Sequence, residues 1–448
     1  MTGSMYAAIA GLRTHMQNLN VIGNNVANIN TQSYKSARSV FKSSIYTTLS
    51  GGSDGTTVVG GANPSQIGYG ANMASVDIDM STGNFAVTGN ATDMMIDGDG
   101  FFLMGNKDVA ATFDGGSGDV NKLTSLTLTR LGNFGFKADG YLTNDDLCVY
   151  GFMCTGMATD LDVAAGRAAK VGDPMFSDQL VPIRYPSIKM VTKYYDADGI
   201  EVDPAALDID TDDPDAVAAA GLTAKDVPTI MYASDVAEPD GEGDDAVRSY
   251  KPLDDYHEMV PATDAEGNAI DGQFERVDYP KAQFNGITID KATGLIYGTS
   301  NDTGEVVYIG CIAIGQVTNP NGVTQIGSSY YTAGPGSGDL TISILGGGAE
   351  SMGLSYINRS LTLAAAGIGP DGEGADAGDD ALTPDMIDGL RIRNGGKTGL
   401  QTGGLEMSKT DLAQEIANMI LTQRGYQANT RIITVTDSML EELVNMKR

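Results

Sequence analysis

Two stripes of apolar residues, one at each end of the chain, most limit what it can fold into. Near the start, Met5, Ile9, Leu12, Met16, Leu19, Ile22, Val26 and Ile29 recur at spacings of three and four. Near the end, Leu412, Ile416, Met419, Tyr426, Ile433, Leu440 and Val444 follow a similar pattern. Such spacing places the apolar groups along one side of an α-helix. The segments between them carry strand and turn signals, so neither helix has an obvious helical neighbour nearby. Long apolar stripes with no local partner suit helices that complete themselves against each other or against another copy.

The first helix is expected over about residues 4–29, with Ser4 as N-cap. Gly11 and Gly23 each weaken it by about 1 kcal/mol relative to Ala. Asn24, Asn25 and Asn28 end the apolar pattern. Amides are unfavourable inside a helix unless they find partners, and at a seam they set register rather than add stability. The second helix is expected from about Ser408, with Ser408 as N-cap and Asp411 in a weak capping box. Its positions Leu412, Met419, Tyr426, Ile433 and Leu440 lie seven apart, and the column beginning at Ile416 turns polar at Gln423, Thr430 and Asp437. The candidate assembly contacts are therefore Met5, Ile9, Leu12, Met16, Leu19, Ile22, Asn24, Asn25, Asn28, Leu412, Ile416, Met419, Tyr426, Ile433 and Leu440.

Between these ends the period changes from helical to near two. Leu126-Thr-Leu-Thr-Arg130 alternates, and Asp97-Gly-Asp-Gly100 and Asp139-Gly140 read as hairpin turns. At 448 residues the chain is too long for one ordinary core. The expected division has terminal helices at 1–35 and 405–448 and a Gly/Ser/Thr-rich linker at 36–70. A first β domain is drawn from 71–160 and 285–350. An inserted acidic β and loop domain occupies 161–284, and a Gly/Asp-rich excursion 351–404. Residues 196–245 alone hold sixteen acidic residues and one basic one, Lys225. The fold class expected is mainly β, multi-domain, with terminal helices that pair as a coiled coil on assembly.

Charge narrows the partners. A formal net charge of −30 disfavours nucleic acid and anionic membrane, both of which need clustered cations. No apolar run reaches the length of a membrane span, and no Sec-type signal is visible. The histidines are His15 and His257, which leaves little for a triad built around an imidazole. Asp196-Ala-Asp-Gly199 and Asp210-Thr-Asp-Asp213 are reminiscent of calcium loops but lack the ligand spacing that ends in a bidentate Glu. Cys148, Cys154 and Cys311 have no metal-ligand spacing; the first two either pair or stay as buried thiols. No cofactor or catalytic residue is expected. The alternative from another class is a secreted hydrolase or calcium-dependent binding protein carried by the middle domain.

Several blocks together carry a family resemblance. Leu19-Asn-Val-Ile-Gly-Asn-Asn-Val-Ala-Asn-Ile-Asn-Thr31 with Tyr34-Lys35 resembles the N-terminal signature of bacterial flagellar rod and hook proteins. Leu405-Glu-Met-Ser-Lys-Thr-Asp-Leu412 and Gln423-Arg-Gly-Tyr-Gln-Ala-Asn429 resemble the family's C-terminal helix. Thr82-Gly-Asn-Phe85, Ile96-Asp-Gly-Asp-Gly-Phe-Phe102 and Thr129-Arg-Leu-Gly-Asn-Phe134 resemble its first β domain. The large insertion between β segments is similar to hook rather than rod members; a distal rod or related axial protein is the alternative. The resemblance implies a structural subunit exported by the flagellar type III apparatus to the outside of the cell. It further implies a homo-oligomeric helical polymer forming the curved hook, with rod, hook cap and hook–filament junction proteins as neighbours.

Overall fold

The computed structural model describes residues 2–55, 60–107, 126–157, 171–176, 180–196, 200–202, 217, 220–232, 257–263, 269–291, 293–327, 329–338, 340–344, 392–394 and 398–446. The acidic sequence at 210–213 and most of the 351–404 segment lie outside these residues. The chain divides into two compact units, one of residues 1–86 and 406–448 and one of residues 87–405.

The first unit is built on two helices from opposite ends of the sequence. Helix α1 is Thr2–Ala27 and helix α2 is Leu412–Met446. At 1.5 Å per residue they are about 39 and 52 Å long. The α2 N-cap is Asp411 rather than Ser408. The Asp411 carboxylate accepts from Ala413 N at 2.9 Å and Gln414 N at 3.3 Å, while the Ser408 hydroxyl serves Thr410 N one step earlier. An anionic cap is also favoured by the helix dipole. Helix α1 stops where the asparagines begin to hydrogen-bond locally: Asn28 Nδ2 donates back to Asn24 O at 2.9 Å. The chain then turns through Ser33, a buried serine held at φ 56°.

Residues 37–78 add two antiparallel strand pairs to this unit. Strand β1 (Ala37–Ser43) pairs with β4 (Ala71–Ile78), and β2 (Tyr46–Ser50) pairs with β3 (Ser65–Gly68). The β1–β4 pair packs on α1. Both strands of the β2–β3 ribbon are exposed throughout, including Ile45 just before it, Tyr46, Leu49 and Ile67.

The second unit is mainly β. Its principal sheet contains β5 (Phe101–Gly105), β6 (Thr127–Thr129), β7 (Leu147–Met157), β8 (Phe284–Ile289), β9 (Leu295–Ser300), β10 (Val306–Val317), β11 (Thr324–Gly327) and β12 (Tyr330–Thr332). They run in the order β8-β9-β10-β7-β5-β6-β12-β11. The segments before and after residue 200 thus interleave in one sheet, with β7 antiparallel to β10 through Phe152 opposite Cys311. Strand β5 is buried at all five positions, which is why its sequence is a continuous apolar run rather than an alternation. Phe102 meets Phe134 edge-on, with ring centroids 5.0 Å apart, inside a cluster that includes Ile96, Val149, Ile296 and Ile314.

The two Asp-Gly turns behave differently. Asp139-Gly140 joins a hairpin, with Leu142 opposite Phe136. Asp97–Gly100 does not. The strand before it, Met94–Asp97, pairs with Gly399–Thr402, whereas the strand after it enters the principal sheet. That turn moves the chain between sheets, a distinction local sequence does not carry because both turns use the same residue types. Strands Ser187–Tyr195 and Thr223–Met231 pair with each other in a separate small sheet within the inserted region.

Candidate assembly site

Helices α1 and α2 lie antiparallel against each other, and the contacts between them recur every heptad. A Cβ added to Gly11 would lie 2.7 Å from Asn429 Nδ2. Asn18 Nδ2 donates to Thr422 Oγ1 at 2.8 Å, and Asn25 Nδ2 donates to Glu415 Oε1 at 3.0 Å. Residues 11, 18 and 25 rise in steps of seven while their partners 429, 422 and 415 fall in steps of seven. Between the first two contacts, a Cβ on Gly425 would sit 2.7 Å from His15 Cε1. The glycines therefore bring the helices close where the partner is an amide or an imidazole.

Polar groups on this seam also reach the β1–β4 pair. Asn25 is buried and uses both ends of its amide. Its Nδ2 donates to Ala37 O as well as Glu415, and its Oδ1 accepts from Ala37 N and Tyr34 OH. Asn18 accepts from the Ser39 hydroxyl while donating to Thr422. Thr14 Oγ1 lies 2.8 Å from both Ala10 O and Ala71 O. Tyr34 OH accepts from Asn24 Nδ2 at 3.0 Å. Burial, together with the Glu415 carboxylate, pushes the Tyr34 phenol above its ordinary range.

The unit closes around a buried ion pair. Lys35 Nζ lies 2.6 Å from Glu406 Oε1, both side chains being almost wholly inaccessible. The ammonium also donates to Ser81 O at 2.7 Å, and the carboxylate accepts from Gly83 N at 2.5 Å. Backbone bonds reinforce the junction, from Ser33 N to Glu406 O at 2.9 Å and from Lys409 N to Tyr34 O at 3.0 Å. At its edge, Asp79 accepts from the Ser81 hydroxyl at 2.7 Å. That bond, outweighing partial desolvation and aided by Lys409 and Lys35, holds the Asp79 carboxyl below the ordinary range.

The residues singled out from sequence divide by exposure. Ile22 and Asn25 are buried, while Met5, Ile9, Leu12, Leu19, Asn28, Met419, Ile433 and Leu440 are half-buried. Met16, Asn24, Leu412, Ile416 and Tyr426 are exposed. Further exposed apolar side chains on α2 are Ile420, Leu421, Ile432, Val435, Met439, Leu443 and Val444. So small and polar residues mark the helix contact, with buried Ile22 spaced four and three residues from Asn18 and Asn25 on the same face, while α2 keeps many apolar side chains in solvent. Sequence reasoning passed over Gly11, Asn18, Glu415, Thr422, Gly425 and Asn429, and over the Lys35–Glu406 pair. The heptad spacing of 11, 18 and 25, and of 415, 422 and 429, was a signal that could have found the seam.

No group of three or more His, Cys, Asp or Glu that could hold a metal occurs among the described residues. Cys148, Cys154 and Cys311 are buried thiols rather than disulfide partners. Burial and the nearby Asp290 carboxylate push the Cys311 thiol up to about 12. No helix among the described residues is long and apolar enough to cross a membrane.

Comparison with known proteins matches both ends of this unit. Residues 5–35 match the family described as flagella basal body rod protein, and residues 401–446 match the flagellar basal body rod FlgEFG protein C-terminal family. The flagellar hook protein FlgE of Borreliella burgdorferi is 28% identical over 476 residues, covering 100% of both chains. The hook protein of Salmonella typhimurium is 24% identical over 458 residues, covering 99% of this chain and 100% of its own. The flagellar basal-body rod protein FlgG of Bacillus subtilis is 27% identical over 448 residues, covering 100% of each. With matches at both helical ends and relatives that align along its whole length, the chain is similar to flagellar rod and hook proteins.

Proposed function

We propose that this protein is a structural subunit of the bacterial flagellar hook, with copies of itself as its principal partner. The observation that carries the reading is the α1–α2 pair, which coincides with both family matches and leaves many apolar side chains of α2 in water. Many large apolar side chains exposed on one helix are costly to leave hydrated and mark an interaction surface. A heterologous contact that does not close on itself generates a helical tube. In that tube the terminal helices of neighbouring subunits form a coiled-coil layer through the exposed apolar side chains of α2. The candidate contacts Met5, Ile9, Leu12, Met16, Leu19, Leu412, Ile416, Met419, Tyr426, Ile433 and Leu440 belong to this layer. Asn24 and Asn28 flank it, while Ile22 and Asn25 act from inside the subunit. Export by the flagellar type III apparatus, and contacts to rod, hook cap and junction proteins, follow from the same reading. The chain's work is mechanical rather than catalytic.

The full-length similarity to a rod protein favours one second reading, a distal rod subunit. Electron microscopy of polymers grown from the purified chain separates the two. Curved hollow tubes are expected for the hook; straight, stiff tubes would transfer the chain to the rod.

A further inference from the structure

We propose that the polar contacts between α1 and α2 form a register code, which fixes how the two ends of one chain align and reserves the exposed apolar side chains of α2 for other copies. The ladder is Gly11–Asn429, His15–Gly425, Asn18–Thr422 and Asn25–Glu415. Two amphipathic helices paired through apolar residues alone could slide by a heptad at little cost, since one Leu or Ile replaces another. A buried amide cannot slide in this way. Shifting α2 by seven residues would bring Asn25 opposite Ser408, which precedes the helix, or Thr422 in place of the Glu415 carboxylate, and would bring His15 opposite Asn418 or Ile432 in place of Gly425. The close approach at Gly425 and the bond from Asn25 to the Glu415 carboxylate would then be lost. Polar groups at seam positions are known to set alignment in this way, at some cost in stability.

Two features make this ladder suited to alignment within one chain. It is tied to the chain's own backbone, because Asn25 grips Ala37 through both its amide groups and Asn18 takes the Ser39 hydroxyl. It is also small, with glycines at Gly11 and Gly425, so it buries little of the apolar surface that an intersubunit contact would use. The inference concerns the single chain and holds whether the polymer is a hook or a rod.

Cysteine cross-linking of the full-length chain in dilute solution tests it. Ser4→Cys with Thr436→Cys lies on the observed register. Ser4→Cys with Leu443→Cys and Ser4→Cys with Asn429→Cys lie one heptad away on either side. Oxidation should give an intrachain disulfide in the first pair, and little in the other two, by gel mobility and mass spectrometry. The same pairs are then placed beside Asn18→Leu with Thr422→Leu, which keeps the helices in contact through apolar groups. Here the preference for the first pair should be lost. Adding Asn25→Leu should spread the cross-links further. Equal cross-linking of all three pairs in the original seam would overturn the proposal, as would disulfides between copies instead of within one. Retention of a single register in the leucine variants would also overturn it. So would loss of helicity in Asn18→Leu with Thr422→Leu, because the ladder would then hold the helices together rather than align them.

Discussion

Lys35 and Glu406 meet 2.6 Å apart in the interior of the helical unit, although 371 positions separate them in sequence. The pair forms only when both ends of the chain are in place. Desolvation offsets much of the attraction between two buried charges, so the pair is weak as a source of net stability. It is a strong constraint on structure, because either charge alone would be buried without its counter-ion.

That asymmetry gives the first prediction. Lys35→Ala or Glu406→Ala should destabilise the helical unit by about 3–5 kcal/mol. Lys35→Met combined with Glu406→Leu should cost much less, because no charge is stranded. Denaturant titration followed by far-UV circular dichroism would measure both. Equal losses in the single and double variants would refute the ion pair as the cause.

The exposed apolar side chains of α2 should govern assembly without governing the stability of the β unit. Leu421→Asp and Ile416→Asp each place a charge on an exposed apolar position. Polymer formation should fall to a small fraction of the original, while the melting transition of residues 87–405 stays within a few degrees. Sedimentation of polymers alongside calorimetry provides the two readouts. Normal tubes from both variants would remove these exposed apolar positions of α2 from the interface.

The buried thiols should be silent in the native protein. At pH 8 an ordinary thiol near 8.5 is partly thiolate and reacts readily with aromatic disulfides. Cys311, raised to about 12, should not, and Cys148 and Cys154 are shielded by burial. Titration should release almost no colour before denaturant and the signal of all three after it. Rapid labelling of the native chain would contradict the packing of β7 against β10.

Asp79 gives a pH dependence whose sign is fixed by its lowered pKa. A carboxyl depressed in the folded state contributes stability above its unfolded value, near 3.9. The contribution is lost as pH falls through the lower folded value. Asp79→Asn should therefore be slightly less stable than the original chain at pH 7, and the gap should close in strong acid. Because Asp79 is solvent-exposed, the effect should be small. Denaturation measured at several pH values would detect it, and a gap that widened in acid would reverse the assignment.

Much of this protein was legible before folding. The α1 stripe from Met5 to Ile22 and the α2 column from Leu412 to Leu440 announced helices, because helical spacing is local. The alternation at Leu126–Arg130 and the Asp139-Gly140 turn announced β structure for the same reason. The N-cap was misplaced by three residues, since Ser408 and Asp411 are both good caps and only the backbone path chooses between them. Asp97–Gly100 was misread because a turn's residues do not say which strand follows in the same sheet.

Sequence alone settled that the chain has helical ends around a β interior, because periodicity and turn chemistry act over a few residues. It also supplied the blocks around Asn24–Thr31 and Gln423–Asn429 that mark the family. Tertiary structure decided which sides of the helices meet. The apolar stripes looked like the seam, yet Gly11, Asn18 and Asn25 face Asn429, Thr422 and Glu415, and much of the α2 stripe stays in water. Partner choice depends on close approach and on satisfying buried amides between residues about four hundred positions apart. Lys35 found Glu406 for the same reason: a buried charge needs its partner in space, and nothing in the local sequence says where that partner is.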